Sequence, residues 1–356
     1  MNQNAVNKQK CLFLSARRYS INSSVIRGFE SNNFEIRVID YEDFFNRSVN
    51  RFVRKYESLP NRIKNLWKNK YIERINKRYL KEFSDYCPDI VFIYNNQNIF
   101  PETIKHFRKS AKVAFLLGDN PLYTPTNKYN LHILFSADYI ISPDSFWCEQ
   151  LHKMGINNVY FDCFSFDTEV YYPFEVEKDL LEKHRSDLVY VGAAHKNNWG
   201  YKRFLFLDQF KKFNLKVYIS GGGYTKIWGA FFPILKEKII AHNRYDHQFN
   251  NTVYNCSKIS PVELVPSLFN GVHVRVFDIL GSGIFPLCEY SPDLERVFTG
   301  IDVPFIRSFN EAENIADHLL QNDTLRKALI AKMRDVIIEK YSPGIVIRRM
   351  LEKIID

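Results

Sequence analysis

The chain has 356 residues, 46% hydrophobic and 25% charged, with a net charge of +9. That is length enough for two medium domains with a core each, and no apolar run approaches the ~20 residues of a membrane-spanning helix. The start MNQNAVNKQKCLFLSARR does not read as a signal peptide, and the six scattered cysteines form no C-x-x-C pair. The nine histidines show no H-E-x-x-H spacing, so reduced thiols and no metal are expected, in a cytoplasmic protein.

Residues 10–15, KCLFLS, predict a first strand. Ser23 is placed to cap a helix running to about Glu30, and the alternating FEIRVI at 34–39 predicts a second strand. The two strands and their crossover make a β-α-β unit, hence a parallel sheet. The first loop, with Arg17, Arg18 and Tyr19, lacks a G-x-G-x-x-G fingerprint, so no dinucleotide site is expected there.

The positive charge is local. Residues 46–81 hold twelve Lys/Arg against two Glu, or +10, which leaves −1 for the rest of the chain. Within a helical insertion at 43–84, Ile63, Leu66, Trp67, Tyr71, Ile75, Tyr79 and Phe83 recur at helical spacing. One reading is a helix packed on the first sheet with a solvated basic face. A second is a helix lying on an anionic membrane surface. No nucleic-acid-binding motif accompanies the charge, so no nucleic-acid partner is expected.

Strands follow at 88–94, 112–117, 137–142 and 159–162, with helices at 102–110 and 146–154, the latter ending at Gly155. Asn95-Asn96-Gln97-Asn98 and Gly118-Asp119-Asn120-Pro121 stand at carboxyl ends of strands, where open α/β sheets bind ligands. From spacing alone, Asp119 also suits an Asx-turn. The domain boundary is placed near 165–185.

A second domain opens with a strand at 187–191 running into Gly192-Ala193-Ala194-His195-Lys196, then a helix at 200–213 and a strand at 216–219. The glycines 221–223 allow close backbone approach or a flexible turn. Residues 225–257 hold a helix, the run AHNRYDHQF and a polar helix, and 258–265 lead into the next stretch. Beyond it come a strand at 303–306 and helices at 310–320, 324–340 and 345–356.

The stretch at 268–298, LFNGVHVRVFDILGSGIFPLCEYSPDLERVF, is the one the rest of the chain is organised around. It predicts a helix over 272–280, stopped by Gly281-Ser282-Gly283, a buried strand at 284–288 ended by Glu289, and a helix opened by Pro292-Asp293. Asn270-Gly271 before a helix lets backbone approach a ligand, and unpaired first-turn amides at Val272 and His273 suit a diphosphate. Arg275, on the same side, adds charge-assisted hydrogen bonds, and Asp278 suits ribose hydroxyls. The plainer reading is a helix packed on a sheet with Arg275 and Asp278 as a local ion pair.

This run resembles the donor-binding segment of GT-B glycosyltransferases, most closely the spore-maturation-protein-B-like group, with its pattern G-x-N-x-R-x-F-E-A-L-A-C-G, a strand, a carboxylate and P-D-L-E-E-L-F. Gly271, Arg275, Phe277, Leu280, Gly283, Pro292, Asp293, Leu294, Glu295 and Phe298 match. His273 stands in place of Asn and Asp278 in place of Glu, and of two glutamates seven residues apart in many relatives only Asp278 keeps an acid, Asn270 standing at the other position.

The resemblance implies an α/β fold of two Rossmann-like domains facing each other across a cleft: an acceptor domain, 1–170, a donor domain, 171–340, and a last helix, 341–356, crossing back. It implies Gly192, Lys196, Arg203, Asn270, Gly271, Val272, His273, Arg275, Asp278 and Glu289 as donor-binding residues, a base held near Tyr245, and Asp119, in its Asp-x-Pro turn, as catalytic base. The implied activity is a hexosyltransferase-like enzyme moving sugar from a nucleotide-diphosphate sugar to a glycan or lipid-linked hydroxyl acceptor, in surface glycan biosynthesis, with neither metal nor cofactor. The location expected from the cysteines and the start of the chain is cytoplasmic, and the second reading of 46–81 adds a peripheral place on the inner face of the membrane. The alternatives are a non-catalytic interaction protein that holds a membrane or partner through the basic segment, and a nucleotide-sugar epimerase, for which no acid and base constellation is seen.

Overall fold

A computed structural model of the protein describes residues 8–45, 48–49, 61–95, 98–123, 129–242 and 245–355, with the backbone alone for 61–68 and 355. The chain divides into two compact units, residues 1–162 with 344–356 and residues 163–343.

The first unit is built on six parallel strands: β1 (Gln9–Leu14), β2 (Phe34–Ile39), β3 (Ile90–Tyr94), β4 (Lys112–Leu116), β5 (Tyr139–Ser142) and β6 (Val159–Phe161). Their order is β2-β1-β3-β4-β5-β6, with Leu14 opposite Ile93 and Ile93 opposite Phe115. The inner strands are runs such as CLFL and IVFI because helices cover both faces of such a sheet, leaving no face for polar residues. Helix α1 (Ile21–Glu30) starts earlier than expected: Ser23 lies inside its first turn, its hydroxyl donating to the Ser20 carbonyl at 2.9 Å, and does not cap it.

Helix α2 (Asn61–Tyr86) contains the second half of the basic stretch; residues 46–47 and 50–60 lie outside the described residues. Ile72, Ile75, Tyr79 and Phe83 are buried, while Lys70, Arg74, Lys77 and Arg78 are exposed. Asn76 is buried among them, and its side chain accepts from the Phe100 amide (2.9 Å) and the Thr103 hydroxyl (2.6 Å). It thereby fixes the start of α3 (Pro101–Phe107). Helices α4 (Asn130–Phe135) and α5 (Ser145–Lys153) complete the middle of the unit. The last helix (Pro343–Ile355) joins it through Arg349, which grips Asp162 with two hydrogen bonds of 2.9 and 2.6 Å.

The second unit begins with α6 (Lys178–His184) and β7 (Leu188–Ala193), then α7 (Asn198–Asp208), β8 (Leu215–Ser220), α8 (Gly222–Gly229), α9 (Pro233–Glu237) and β9 (Ile239–Ala241). It continues with α10 (His247–Asn255), β10 (Ile259–Val262), α11 (Arg275–Gly281), β11 (Phe285–Cys288), α12 (Pro292–Val297), α13 (Ala312–Gln321) and α14 (Asp323–Tyr341). The sheet is parallel in the order β11-β10-β7-β8-β9. From β7 the chain builds outward one way through β8 and β9, then returns to place β10 on the other side. The β7–β10 pair is therefore the switch point where such sheets hold ligands.

Two strands were not anticipated, β9 and β10, and the strand expected at 303–306 is a single bridge between Glu289 and Ile306. β10 was hidden by Pro261, since proline lacks the N–H an inner strand normally donates. The helix expected over 272–280 runs Arg275–Gly281. Its stop is as expected, and Gly283 has a left-handed φ of +81°. A Cβ on Gly281 would lie 2.6 Å from the Phe166 ring and 2.9 Å from Tyr171 Cβ. Gly281→Ala is therefore expected to cost about 1–3 kcal/mol through overpacking, read as a lower urea midpoint at unchanged slope.

Candidate donor site in the second unit

Glu263 is the first residue after β10, and its carboxylate is fully buried. Two arginines reach it from different helices. Arg203, on α7 and 3% exposed, holds Oε1 through Nε and Nη2, both at 2.5 Å, and also donates to the Ala193 carbonyl at the end of β7. Arg275, the first residue of α11 and 13% exposed at its side chain, reaches both carboxylate oxygens at 3.3 Å and the Val191 carbonyl at 3.3 Å. Tyr190 donates its hydroxyl to Glu263 at 3.3 Å, and its ring lies 4.9 Å from the Arg275 guanidinium. Ala193 and Glu263 stand at the carboxyl ends of β7 and β10, with Tyr190 midway along β7.

Electrostatics follow from the geometry. Burial pushes the Glu263 carboxyl up, but Arg203, Arg275 and then His273 outweigh it and bring its pKa down to about 2. Burial alone would lower the Arg275 guanidinium; Tyr190 and Glu263 reverse this and raise it. Tyr190 is pushed up to about 12 by burial, against the pull of Arg203 and Arg275.

Around this cluster, Gly192 is required for space: a Cβ there would sit 2.6 Å from the Tyr190 hydroxyl, two residues back on the same strand face. Lys202, beside Arg203, holds both oxygens of Glu289 at 2.8 Å, and Glu289 also accepts from the Leu264 amide at 2.8 Å. Lys196 is exposed in the loop after β7. His195 stacks on Trp199 at 3.9 Å between centroids, and Trp228 donates to the His195 carbonyl at 2.6 Å. Tyr245 lies ahead of α10, while Asn243 and Arg244 of its loop are outside the described residues.

The segment before α11 differs from expectation in one respect. The helix tip is closed by its own chain: the Arg275 amide donates to His273 Nδ1 at 3.1 Å, and the Val276 amide to the His273 carbonyl at 3.0 Å. The Asn270 carbonyl accepts from the Asp293 amide and the Gly271 carbonyl from the Ser291 hydroxyl, both at 3.0 Å, so 270–273 is a tethered loop. Val272 is buried in the core. The ion pair weighed for Arg275 and Asp278 is not formed either. Asp278 is buried beside Tyr171, whose hydroxyl lies 3.1 Å from His247 Nδ1 and whose pKa burial and then Asp278 raise. The cluster thus gathers Gly192, Arg203 and Arg275; Glu289 is braced by Lys202 beside it, and Asp278 faces Tyr171. Glu263, Tyr190 and Trp199 were not foreseen; a lone acid in the apolar run KISPVELV was the available signal, because a buried carboxylate requires a cation.

In the first unit, Asp119 is exposed in the turn after β4. Asn95, left-handed at φ 56° after β3, donates to its carboxylate at 3.0 Å and accepts its amide at 3.1 Å. The Asx-turn belongs to Asn120, which accepts from the Leu122 and Tyr123 amides. Asn96 and Gln97 lie outside the described residues. Among the described residues, no group of three His, Cys, Asp or Glu is placed to hold a metal ion, and no helix is long and apolar enough to cross a membrane.

A family model described as glycosyl transferase-like matches residues 203–352. No curated protein matches the sequence. Among solved structures, sucrose-phosphate synthase from Thermosynechococcus elongatus is similar over 98% of this chain and 99% of its own, at 9% identity and a TM-score of 0.67. A glycosyltransferase from Rickettsia africae is similar over 97% of each chain, at 13% identity and a TM-score of 0.63. HepE of Anabaena, in complex with UDP-glucose, is similar over 97% of this chain and 98% of its own, at 11% identity and a TM-score of 0.62. At such identities the structural likeness speaks for the fold alone, whereas the family match begins on Arg203 and takes in Glu263 and Arg275. Residues 203–352 are thus a glycosyl transferase-like segment, in a chain with the two-domain α/β fold of the GT-B glycosyltransferases.

Proposed function

We propose that the protein transfers a sugar from a nucleotide-diphosphate sugar to a hydroxyl acceptor, as a member of the spore-maturation-protein-B-like group, in surface glycan biosynthesis. The observation that carries this reading is the family match over the segment that builds the arginine cluster at the switch point. The acceptor oxygen attacks the anomeric carbon, the bond from that carbon to the diphosphate breaks, and the leaving diphosphate takes the electron pair. Arg275, the more exposed of the two arginines, stabilises that charge where it develops. With cationic side chains in this role, a divalent ion is not needed.

The test is a titration with UDP and UDP-sugars, followed by a transfer assay in excess EDTA. A saturable rise in melting temperature and EDTA-resistant turnover are expected; no binding of any nucleotide sugar would refute the reading. One observation favours a non-catalytic protein instead: each guanidinium already has a carboxylate partner. The same titration separates the two, since a scaffold has no saturable donor site.

Asp119 is proposed as the base that takes the acceptor proton. Asp119→Asn is expected to keep donor affinity within about threefold while turnover falls by about 100-fold or more, the range of general-base catalysis. Calorimetry and steady-state rates measure the two parts, and full activity would assign the base elsewhere.

A further inference from the structure

A single arginine is enough to neutralise Glu263, yet a buried one and a part-buried one are packed against it. Two guanidinium groups less one carboxylate leave one positive charge in the cluster, and among the described residues neither arginine pairs with a second acid. The neighbouring cation, Lys202, is neutralised separately by Glu289. A surplus charge held out of water is unfavourable unless something anionic meets it. The two grips on Glu263 are also unequal. Arg203 holds it at 2.5 Å from the less exposed side, and Arg275 at 3.3 Å from the more exposed one.

We infer that Glu263 is a positioning residue of the donor site: it orients Arg203 and Arg275 and limits the charge they show a diphosphate to one unit. This rests on the reading of the second unit as a donor site. Arg203 anchors the carboxylate, the carboxylate aims Arg275, and Arg275 meets the phosphate oxygens. Glu263 touches no substrate. It keeps a spent nucleoside diphosphate from being held too tightly for release, because its negative charge opposes the anion at short range.

The experiment is calorimetric titration of the full chain with UDP at fixed ionic strength, for the wild type, Glu263→Gln and Glu263→Asp. Both variants are expected to melt earlier than the wild type, as any change at a packed buried site does. The distinguishing readout is affinity. Glu263→Gln should bind UDP at least about tenfold more tightly, with a steeper loss of affinity in salt, because a charge is removed while the shape is kept. Glu263→Asp, which keeps the charge, should stay within about threefold of the wild type. Equal or weaker binding by Glu263→Gln, in a wild type that binds UDP, overturns the assignment and leaves the donor site standing. A wild type that does not bind UDP refutes the donor site itself, and this role with it. Should Glu263→Gln fail to fold alone, saturating UDP must restore a cooperative melt, since the anion replaces the missing charge; a variant that UDP does not rescue also overturns the assignment.

Discussion

Arg275→Ala is expected to reduce sugar transfer by about 100-fold or more, the loss typical of removing one preorganised donor to a developing anion. The fold should persist: Arg203 still holds Glu263 at 2.5 Å, so the buried carboxylate keeps its tighter partner. The effect should appear in kcat more than in KM, because charge on the leaving diphosphate is greatest in the transition state. Arg275→Lys should recover only part of the rate. An ammonium supplies charge but cannot span Glu263, the Val191 carbonyl and a phosphate oxygen from one plane, as the guanidinium's several donors can. Steady-state kinetics at saturating donor, with the melting temperature as control, decides the matter. Unchanged turnover in a folded Arg275→Ala protein would remove the phosphate assignment.

Much of the scaffold was legible. The continuous apolar runs of β1, β3, β4 and β7 announce strands buried on both faces, and their spacing leaves room for helical crossovers. The arginine pair was legible too, through resemblance at Arg203 and Arg275. What the sequence concealed was the group that joins them. Pro261 masks β10, and with β10 unseen, Glu263 has no position in the sheet. The start of α11 is hidden for a different reason. Local spacing makes 272–274 look helical, but the Asn270 and Gly271 carbonyls are taken by residues twenty or more positions later, Ser291 and Asp293. Such long-range tethers leave no local trace. They also change the chemistry expected at the helix tip, because His273 now occupies the Arg275 amide and the side chain, rather than the amides, is left as the stronger candidate for phosphate.

Arg203→Met is expected to cost about 3–5 kcal/mol of stability at neutral pH. Methionine retains much of the aliphatic stem, so the cost falls on the charge and on the guanidinium's hydrogen bonds to Glu263 and the Ala193 carbonyl. Glu263 would remain fully buried with Arg275 alone, at 3.3 Å. The pH dependence supplies a signature that a packing defect lacks. In the wild type, the folded pKa of Glu263 is lowered from the usual 4.5 to about 2 by its cations, so the unfolded chain binds its proton first. The stability this gives is complete above about pH 4.5 and drains away as pH falls through about 2. The variant, with that carboxyl closer to its ordinary range, has less of this stability to lose. Urea midpoints of the two proteins should therefore lie far apart at pH 7 and draw together towards pH 3, where both remain measurable. A gap that stays constant across that range would mean that Arg203 contributes packing and not charge, and that Glu263 is held by some other group.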